Sequence, residues 1–383
     1  MQHKNTVFHG LVANIPWQRF DRLVAQHQAD KGVRRLPTKS QFLALLYGQF
    51  AGATSLRDLV GGFASHGGRL YHLGARVVKR SSLAEANARR PSAVFSGLFA
   101  ALLERVQPRL AREIGACVLL IDSTTLPLNR LSDAWARYSV GVHGAKLHVI
   151  YDPDADCPIY AAVTARHVND ITAAQAMPIQ PGATYVFDLG YYDYAWWAQL
   201  DAAGCRIVTR LKVNTPLQIK TERMCQPGGP ILSDRTGYLP SRQARSRRNP
   251  MNGRVREVRV RIESGKILRI LSNDLQASAQ QIADLYKRRW AIELFFRWIK
   301  QTLKIRHFLG SSENAMRIQI AVALIAFLLL RISQKTNPST CTALLFARLV
   351  QANLMHQKTM PDILRPPDNK PGSDNKQAQF QWT

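Results

Sequence analysis

The sequence predicts an α/β protein: a helical block precedes a five-stranded mixed sheet, and a β-rich insertion follows near the end of that sheet. Three observations carry this. In the first hundred or so residues apolar side chains recur at helical spacing; beyond them they gather into short continuous runs rich in β-branched residues. Those runs come to alternate with helical segments, as parallel strands joined by crossovers require. Later, around Ser264-Gly265, apolar and charged residues alternate, the pattern of a hairpin with one wet face. At 383 residues the chain has room for two or three domains.

Thr38-Lys39-Ser40-Gln41 has capping-box spacing ahead of the apolar run F-L-A-L-L-Y, which predicts a helix opening there. Further helices are predicted over Ser55–Phe63, Ser82–Asn87 and Pro91–Val106. Residues 1–105 are therefore expected to form a helical DNA-binding domain of the helix-turn-helix kind, with a plain helical cap as the alternative.

The period then changes. C-V-L-L-I-D-S-T-T (117–125) opens as a buried strand, and 144–152 and 158–165 read as two more strands around the turn P-D-A-D. A short helix over 170–177 comes next, then the strand T-Y-V-F-D (184–188). A helix over 192–203 stops at Gly204, and 205–211 is a fifth strand. Antiparallel neighbours first, then right-handed crossovers to parallel strands, is the ribonuclease H-like order. In such a sheet the first and fourth strands are parallel neighbours, so Asp122 and Asp188, at their ends, lie side by side. Two carboxylates that close resist joint ionisation unless a cation sits between them. Either alone could simply cap a turn.

Residues 212–273 are expected to be a basic β-rich insertion within a catalytic domain spanning 106–335. Residues 235–261 hold nine arginines against one acid, and Arg245, Arg247 and Arg248 crowd S-R-Q-A-R-S-R-R-N-P; that density favours phosphate contact over a solvated loop. Apolar helices are predicted around 315–333 and 341–355. Residues 336–383 are expected to hold a C-terminal helix and a disordered Pro/Asn/Asp/Lys tail. The longest apolar run, Ile320–Leu330, is about half a membrane span, which predicts a buried core helix and no membrane partner.

Lys and Arg outnumber Asp and Glu 52 to 26. The excess is +10 over residues 1–105, −1 over 106–215 and +17 over 216–383. A near-neutral centre between basic arms predicts a chemical core flanked by surfaces that grip a polyanion, most simply nucleic acid. Paired acids also serve glycosidases, but a sugar would not call for a charge of +26. Cys117, Cys157, Cys205, Cys225 and Cys341 are scattered with no C-x-x-C pair, and the N-terminus does not read as a signal peptide. A structural zinc is not expected, and a cytoplasmic setting is.

Residues 286–300, Y-K-R-R-W-A-I-E-L-F-F-R-W-I-K, read as one amphipathic helix with a single acid, Glu293, among five bases. At roughly 100° per residue, Tyr286, Arg289, Glu293, Arg297 and Lys300 share a stripe about 80° wide, with Ile292, Phe295 and Ile299 opposite. The plainer reading is a solvated face with ion pairs one turn apart. An acid framed by cations also suits a metal-holding carboxylate whose neighbours hold phosphates.

Tyr286, Arg289, Glu293 and Lys300 match the Y-x2-R-x3-E-x6-K signature, and L-I-D-S-T-T (120–125) and Y-V-F-D-L-G-Y-Y-D (185–193) resemble the two Asp motifs, of the bacterial insertion-sequence transposases of family four, a branch of the DDE transposases. The resemblance spans about 110–330 and, less specifically, the helical block before it. It implies a triad of Asp122, Asp188 and Glu293 on a ribonuclease H-like fold, holding two Mg²⁺ ions, with Mn²⁺ able to substitute. Two such cations can serve both ends of an in-line phosphodiester displacement. It further implies that Tyr286, Arg289 and Lys300 contact phosphates near the transposon end, that Arg297 shares that task, and that Trp290 stacks on an unpaired base. The implied partners are double-stranded DNA, as terminal inverted repeats and target, and a second copy of the chain when two ends are brought together. Some relatives hold a flipped base with a Trp in the insertion; residues 212–273 contain no Trp, only Tyr238 as an aromatic.

His143 and His148 flank Lys146 in a predicted strand; one is expected to be a core or edge histidine, with a place for His148 near the metals as the alternative, and Lys146 is a weaker phosphate-contact candidate. Asp152, Asp154 and Asp156 read as a hairpin turn, since the glycine and closing glutamate of a calcium loop are missing. Asp170 is expected to cap a helix, with an acid that supports the metal-holding carboxylates from behind as the alternative. The alternatives to a transposase are a nuclease or resolvase of the same fold, and a DNA-binding protein without catalysis.

Overall fold

In the computed structural model, residues 5–106, 117–128, 137–139, 142–226, 228–302 and 308–365 are described. The His143 side chain and the predicted tail beyond residue 365 lie outside them.

Seven helices come first: α1 (Val7–Val12), α2 (Trp17–Gln26), α3 (Thr38–Ala51), α4 (Leu56–Ala64), α5 (Gly67–Leu70), α6 (Arg80–Arg89) and α7 (Ala93–Val106). The capping box expected at Thr38 is not made. Pro37 holds the cap position, the Thr38 N–H and hydroxyl both donate to Asp30 (2.8 and 2.7 Å), and Gln41 donates to Asn87 at 2.9 Å. Both side chains are buried and found tertiary partners instead. Working capping boxes occur at Ser278/Gln281 and Thr359/Asp362.

The central strands are β1 (Val118–Pro127), β2 (Arg137–Ser139), β3 (Val142–Asp152), β4 (Cys157–Ala165), β5 (Thr184–Val186) and β6 (Arg206–Arg210), with α8 (Asp170–Gln175) and α9 (Tyr194–Ala202) between them. The spatial order β4-β3-β1-β5-β6 is antiparallel over the first three strands and parallel from β1 to β6. This is the ribonuclease H-like topology. The sheet continues past five strands, however. Beyond β6, the strands β12 (Ile267–Ser272), β11 (Val255–Arg261), β8 (Ile231–Tyr238) and β7 (Gln218–Arg223) follow in that spatial order, with β12 pairing antiparallel with β6, so the insertion extends the same sheet to ten strands. Among the described strands, only β9 (Arg242–Ala244) and β10 (Arg247–Arg248) stand apart, as a small arginine-rich ribbon.

The remaining helices are α10 (Ala279–Arg288), α11 (Trp290–Thr302), α12 (Glu313–Thr336), α13 (Ala343–Asn353) and α14 (Met360–Leu364). The single helix predicted over 286–300 is in fact two, meeting at Arg289. There the bonds tighten to Arg289 N–H→Tyr286 and Ile292 N–H→Arg289, each spanning three residues. α12 is long and apolar enough to cross a membrane by length and composition, but 83% of its apolar window is buried inside the protein. Helices α1, α3, α6 and α7 pack on it, so the N-terminal block and the C-terminal helices share one core.

Strand alternation divides the sheet's two faces. Leu120, Val186, Val208 and Ile270 face the core containing α10–α13. Leu119, Ile121, Tyr185, Phe187, Ile207 and Leu271 face a second core with Trp196, Trp197 and Leu200 of α9.

Candidate active site

Leu120 and Val186 are register partners across the parallel β1–β5 ladder. Two residues further along each chain path stand Asp122 and Asp188, which therefore leave on the face that Leu120 and Val186 share. Asp122 is in β1 itself and accepts the Ser123 N–H at 2.8 Å. Asp188 lies just past β5 and caps a short 3₁₀ turn over Leu189–Tyr191 by accepting the Gly190 N–H at 2.8 Å. In that turn a Cβ at Gly190 would approach the Asp188 carboxylate to 3.1 Å, a tight contact.

Helix α11 packs against β1 and delivers Glu293 from its first turn to the same place. The Arg289 guanidinium lies between the acids, with Nη2 2.5 Å from Glu293 Oε1 and Nη1 3.8 Å from Asp122 Oδ2. Burial pushes the Asp122 carboxyl up to about 7; the charges of Asp188 and Glu293 add to this, while the Ser123 N–H and Arg289 oppose it. The acids expected from far-apart stretches of sequence thus act electrostatically on one another. Among the described residues, no three acid, histidine or cysteine side chains stand as a ready-made metal cluster. Arg289 supplies the positive charge between Asp122 and Glu293.

The remaining predicted residues fall into three groups. Tyr286 is buried, 8% exposed, with the Arg289 guanidinium 5.8 Å from its ring centroid and Arg210 and Asp188 acting on its hydroxyl. Trp290 is 51% exposed, and the Arg297 guanidinium stands 5.9 Å from its ring. Lys300 is half-buried in the last turn of α11. Arg245, Arg247 and Arg248 are exposed on or beside the β9–β10 ribbon, and Arg247 pairs with Asp193 at 3.4 Å.

Sequence reasoning missed how that ribbon is attached. Gln243 accepts the Tyr194 N–H (2.8 Å) and donates to the Tyr192 carbonyl (2.9 Å), docking the ribbon onto the chain just after Asp188. Asp170 does not take the capping role expected of it. Asn169 holds the cap position of α8, and the Asp170 carboxylate turns instead to Ser123 and Lys146. In N-D either residue can cap a helix, so the sequence carries no signal to separate them. His148 is a core histidine, fully buried and pushed down to about 4 by that burial, against the pull of Asp170. The Asp152–Asp156 segment is a hairpin turn in which Asp152 accepts the N–H groups of Asp154 and Ala155, both at 2.9 Å.

Residues 113–329 match the family model of the transposase DDE domain, and residues 3–76 match that of a domain of unknown function. The chain is 41% identical over 293 residues to the transposase y4zB of Sinorhizobium fredii, covering 76% of this chain and 81% of that one. It is 32% identical over 241 residues to the transposase for insertion sequence element IS5377 of Geobacillus stearothermophilus, covering 61% of each. Among solved structures, a piggyBac transposase synaptic complex with hairpin DNA aligns over 96% of this chain and 84% of that one, at 12% identity and a TM-score of 0.47.

Proposed function

The chain belongs to the DDE transposases, and on that premise we propose that Asp122, Asp188 and Glu293 are its catalytic triad, cutting phosphodiesters at the ends of its own element and joining them to target DNA. The observation that carries this is that the half-buried Asp122 carboxyl, in β1, has its ionisation opposed by Asp188, just past the neighbouring parallel strand, and by Glu293, from a helix about 100 residues later. A nuclease without strand transfer, or a binding protein without catalysis, is not favoured by the relatives, which are named as transposases.

DDE transposases generally depend on divalent metal. The donor set here suits such an ion: hard carboxylate oxygens that repel one another and already draw a guanidinium between two of them. When bound, two Mg²⁺ ions, or Mn²⁺ in their place, supply Lewis-acid charge at the attacking and leaving oxygens. Asp122, Asp188 and Glu293 would hold them. Arg289, which pairs with Glu293 and Asp122, would turn to substrate phosphate once the ions hold those carboxylates. Tyr286 supports Arg289 and Asp188 from behind. Trp290, exposed and backed by Arg297, offers a face on which an unpaired base stacks, and Lys300 lies further along the same helix. Arg245, Arg247 and Arg248 grip phosphates beside the site.

We assign catalysis to residues 106–335, with 212–273 as its basic extension, and recognition of the terminal inverted repeats to the helical block over 1–105. Two ends need two active sites, so the synaptic complex contains at least two copies. Work on chromosomal DNA places the protein in the bacterial cytoplasm.

The test uses a duplex carrying the DNA that borders the gene. With Mg²⁺ the wild-type protein is expected to cut it. Replacing Asp122, Asp188 or Glu293 by Ala is expected to slow cutting by about 10³-fold or more while the duplex is still bound. An Asp122→Ala protein that cuts normally refutes the assignment.

A further inference from the structure

Behind the three acids, on the opposite face of the sheet, lies a second polar cluster. Ser123 follows Asp122 in β1, so its side chain points to the other face, toward α8. There its hydroxyl donates to Asp170 Oδ1 at 2.8 Å. Lys146 Nζ donates to the same oxygen at 3.1 Å and to the Val168 carbonyl at 3.0 Å. His148, the register partner of Ser123 across the β1–β3 ladder, has Nε2 2.8 Å from the Thr164 hydroxyl and Nδ1 3.8 Å from Asp170 Oδ1. The other Asp170 oxygen faces the turn after β5: a Cβ placed on Gly190 would be 3.4 Å from it. Tyr191, from that same turn, is buried with its hydroxyl under the combined charges of Asp122, Asp170 and Asp188.

We propose that Asp170 is a positioning residue that braces β1 at Ser123 against the turn after β5 and so sets the separation of Asp122 and Asp188. A carboxylate at the first position of a helix ordinarily serves its own helix's N–H groups. This one is turned away from them, toward donors from β1 and β3, while α8 packs against the Asp188 turn and leaves its second oxygen on the side of Gly190. The two segments it lies against, β1 and the turn after β5, carry the acids that must be held at a fixed spacing to share cations. Groups that hydrogen-bond metal ligands directly typically govern metal affinity by about 10–100-fold, and Asp170, acting through Ser123 and the turn, is expected toward the lower end of that range. The inference rests on the reading of Asp122 and Asp188 as metal-holding.

The experiment measures Mn²⁺ binding to the full chain without DNA, from the electron paramagnetic resonance signal of free Mn²⁺. Asp170→Asn is expected to weaken binding about 10-fold or more with the fold retained by circular dichroism. Ser123→Ala is expected to act in the same direction, and Ser123→Thr, which keeps the hydroxyl, to restore binding. Because both residues act through one contact, the double variant Ser123→Ala/Asp170→Asn should bind no more weakly than the worse single variant. Affinity within about twofold of wild type in Asp170→Asn, or single effects that simply add, overturns the proposal. If Asp170→Asn does not fold, the two Ser123 variants decide. Asp122→Ala separates the two readings. Loss of Mn²⁺ there with unchanged binding in Asp170→Asn overturns the positioning role alone, whereas unchanged binding in Asp122→Ala overturns the metal site itself and this inference with it.

Discussion

Arg289 Nη2 lies 2.5 Å from Glu293 Oε1, one helical turn along the chain, and the same guanidinium reaches Asp122 across the site. Arg289 is thus the counter-charge of two proposed catalytic acids.

Arg289→Ala is therefore expected to slow cleavage of end-bearing DNA about 100-fold, in the range seen when a charge-stabilising donor is removed. Arg289→Lys should recover little, since an ammonium cannot span two oxygens as a guanidinium fork does. Single-turnover cleavage measures both. Without DNA, the alanine variant should bind Mn²⁺ at least as tightly as wild type, because nothing then competes for Asp122 and Glu293.

The elevated Asp122 carboxyl has a consequence for stability. Its folded value, about 7, lies above that of the unfolded chain, so its contribution is complete below the ordinary aspartate range and is lost as pH climbs to about 7. Asp122→Asn should remove that slope and stabilise the metal-free protein by on the order of 2–4 kcal/mol at mildly alkaline pH. Thermal melts in a chelator at several pH values test this; parallel curves for the two proteins would contradict it.

Trp290 projects from the first turn of α11 and is half exposed. Trp290→Ala should leave thermal stability nearly unchanged but weaken binding of ends with unpaired bases by about 1–3 kcal/mol, and Trp290→Phe should recover part of it. Quenching of tryptophan fluorescence by single-stranded DNA, compared between wild type and Trp290→Phe, gives an independent reading.

Joint replacement of Arg245, Arg247 and Arg248 by Ala should weaken DNA binding to all sequences alike. The slope of log affinity against log salt should fall by roughly 0.9 for each phosphate that the variant no longer neutralises. An unchanged slope would show that the ribbon does not touch the backbone.

In the insertion, Arg256 makes a paired contact with Asp234, Nε–Oδ1 2.7 Å and Nη2–Oδ2 2.6 Å, with both side chains buried. Asp234→Ala leaves that guanidinium uncompensated and should cost about 3–5 kcal/mol. Chemical denaturation is the measurement, and a cost under about 1 kcal/mol would show that water or another group reaches Arg256.

Much of this was legible in the residues themselves. Apolar run length and period mark the β1, β3, β4, β5 and β6 strands and the helices between them, because strand and helix impose different spacings on any buried face. The order of those elements leaves few ways to pair them, and pairing β1 with β5 in parallel brings Asp122 and Asp188 together. What local sequence could not decide was which polar side chains would find distant partners. Thr38 and Gln41 left a capping box for Asp30 and Asn87; Asp170 left a helix terminus for Ser123 and Lys146; Gln243 docked a ribbon onto Tyr192 and Tyr194. Hydrophobic patterning repeats along the chain and can be read from it, whereas a hydrogen bond between residues 47 apart, such as Ser123 to Asp170, depends on positions that exist only once the chain has packed.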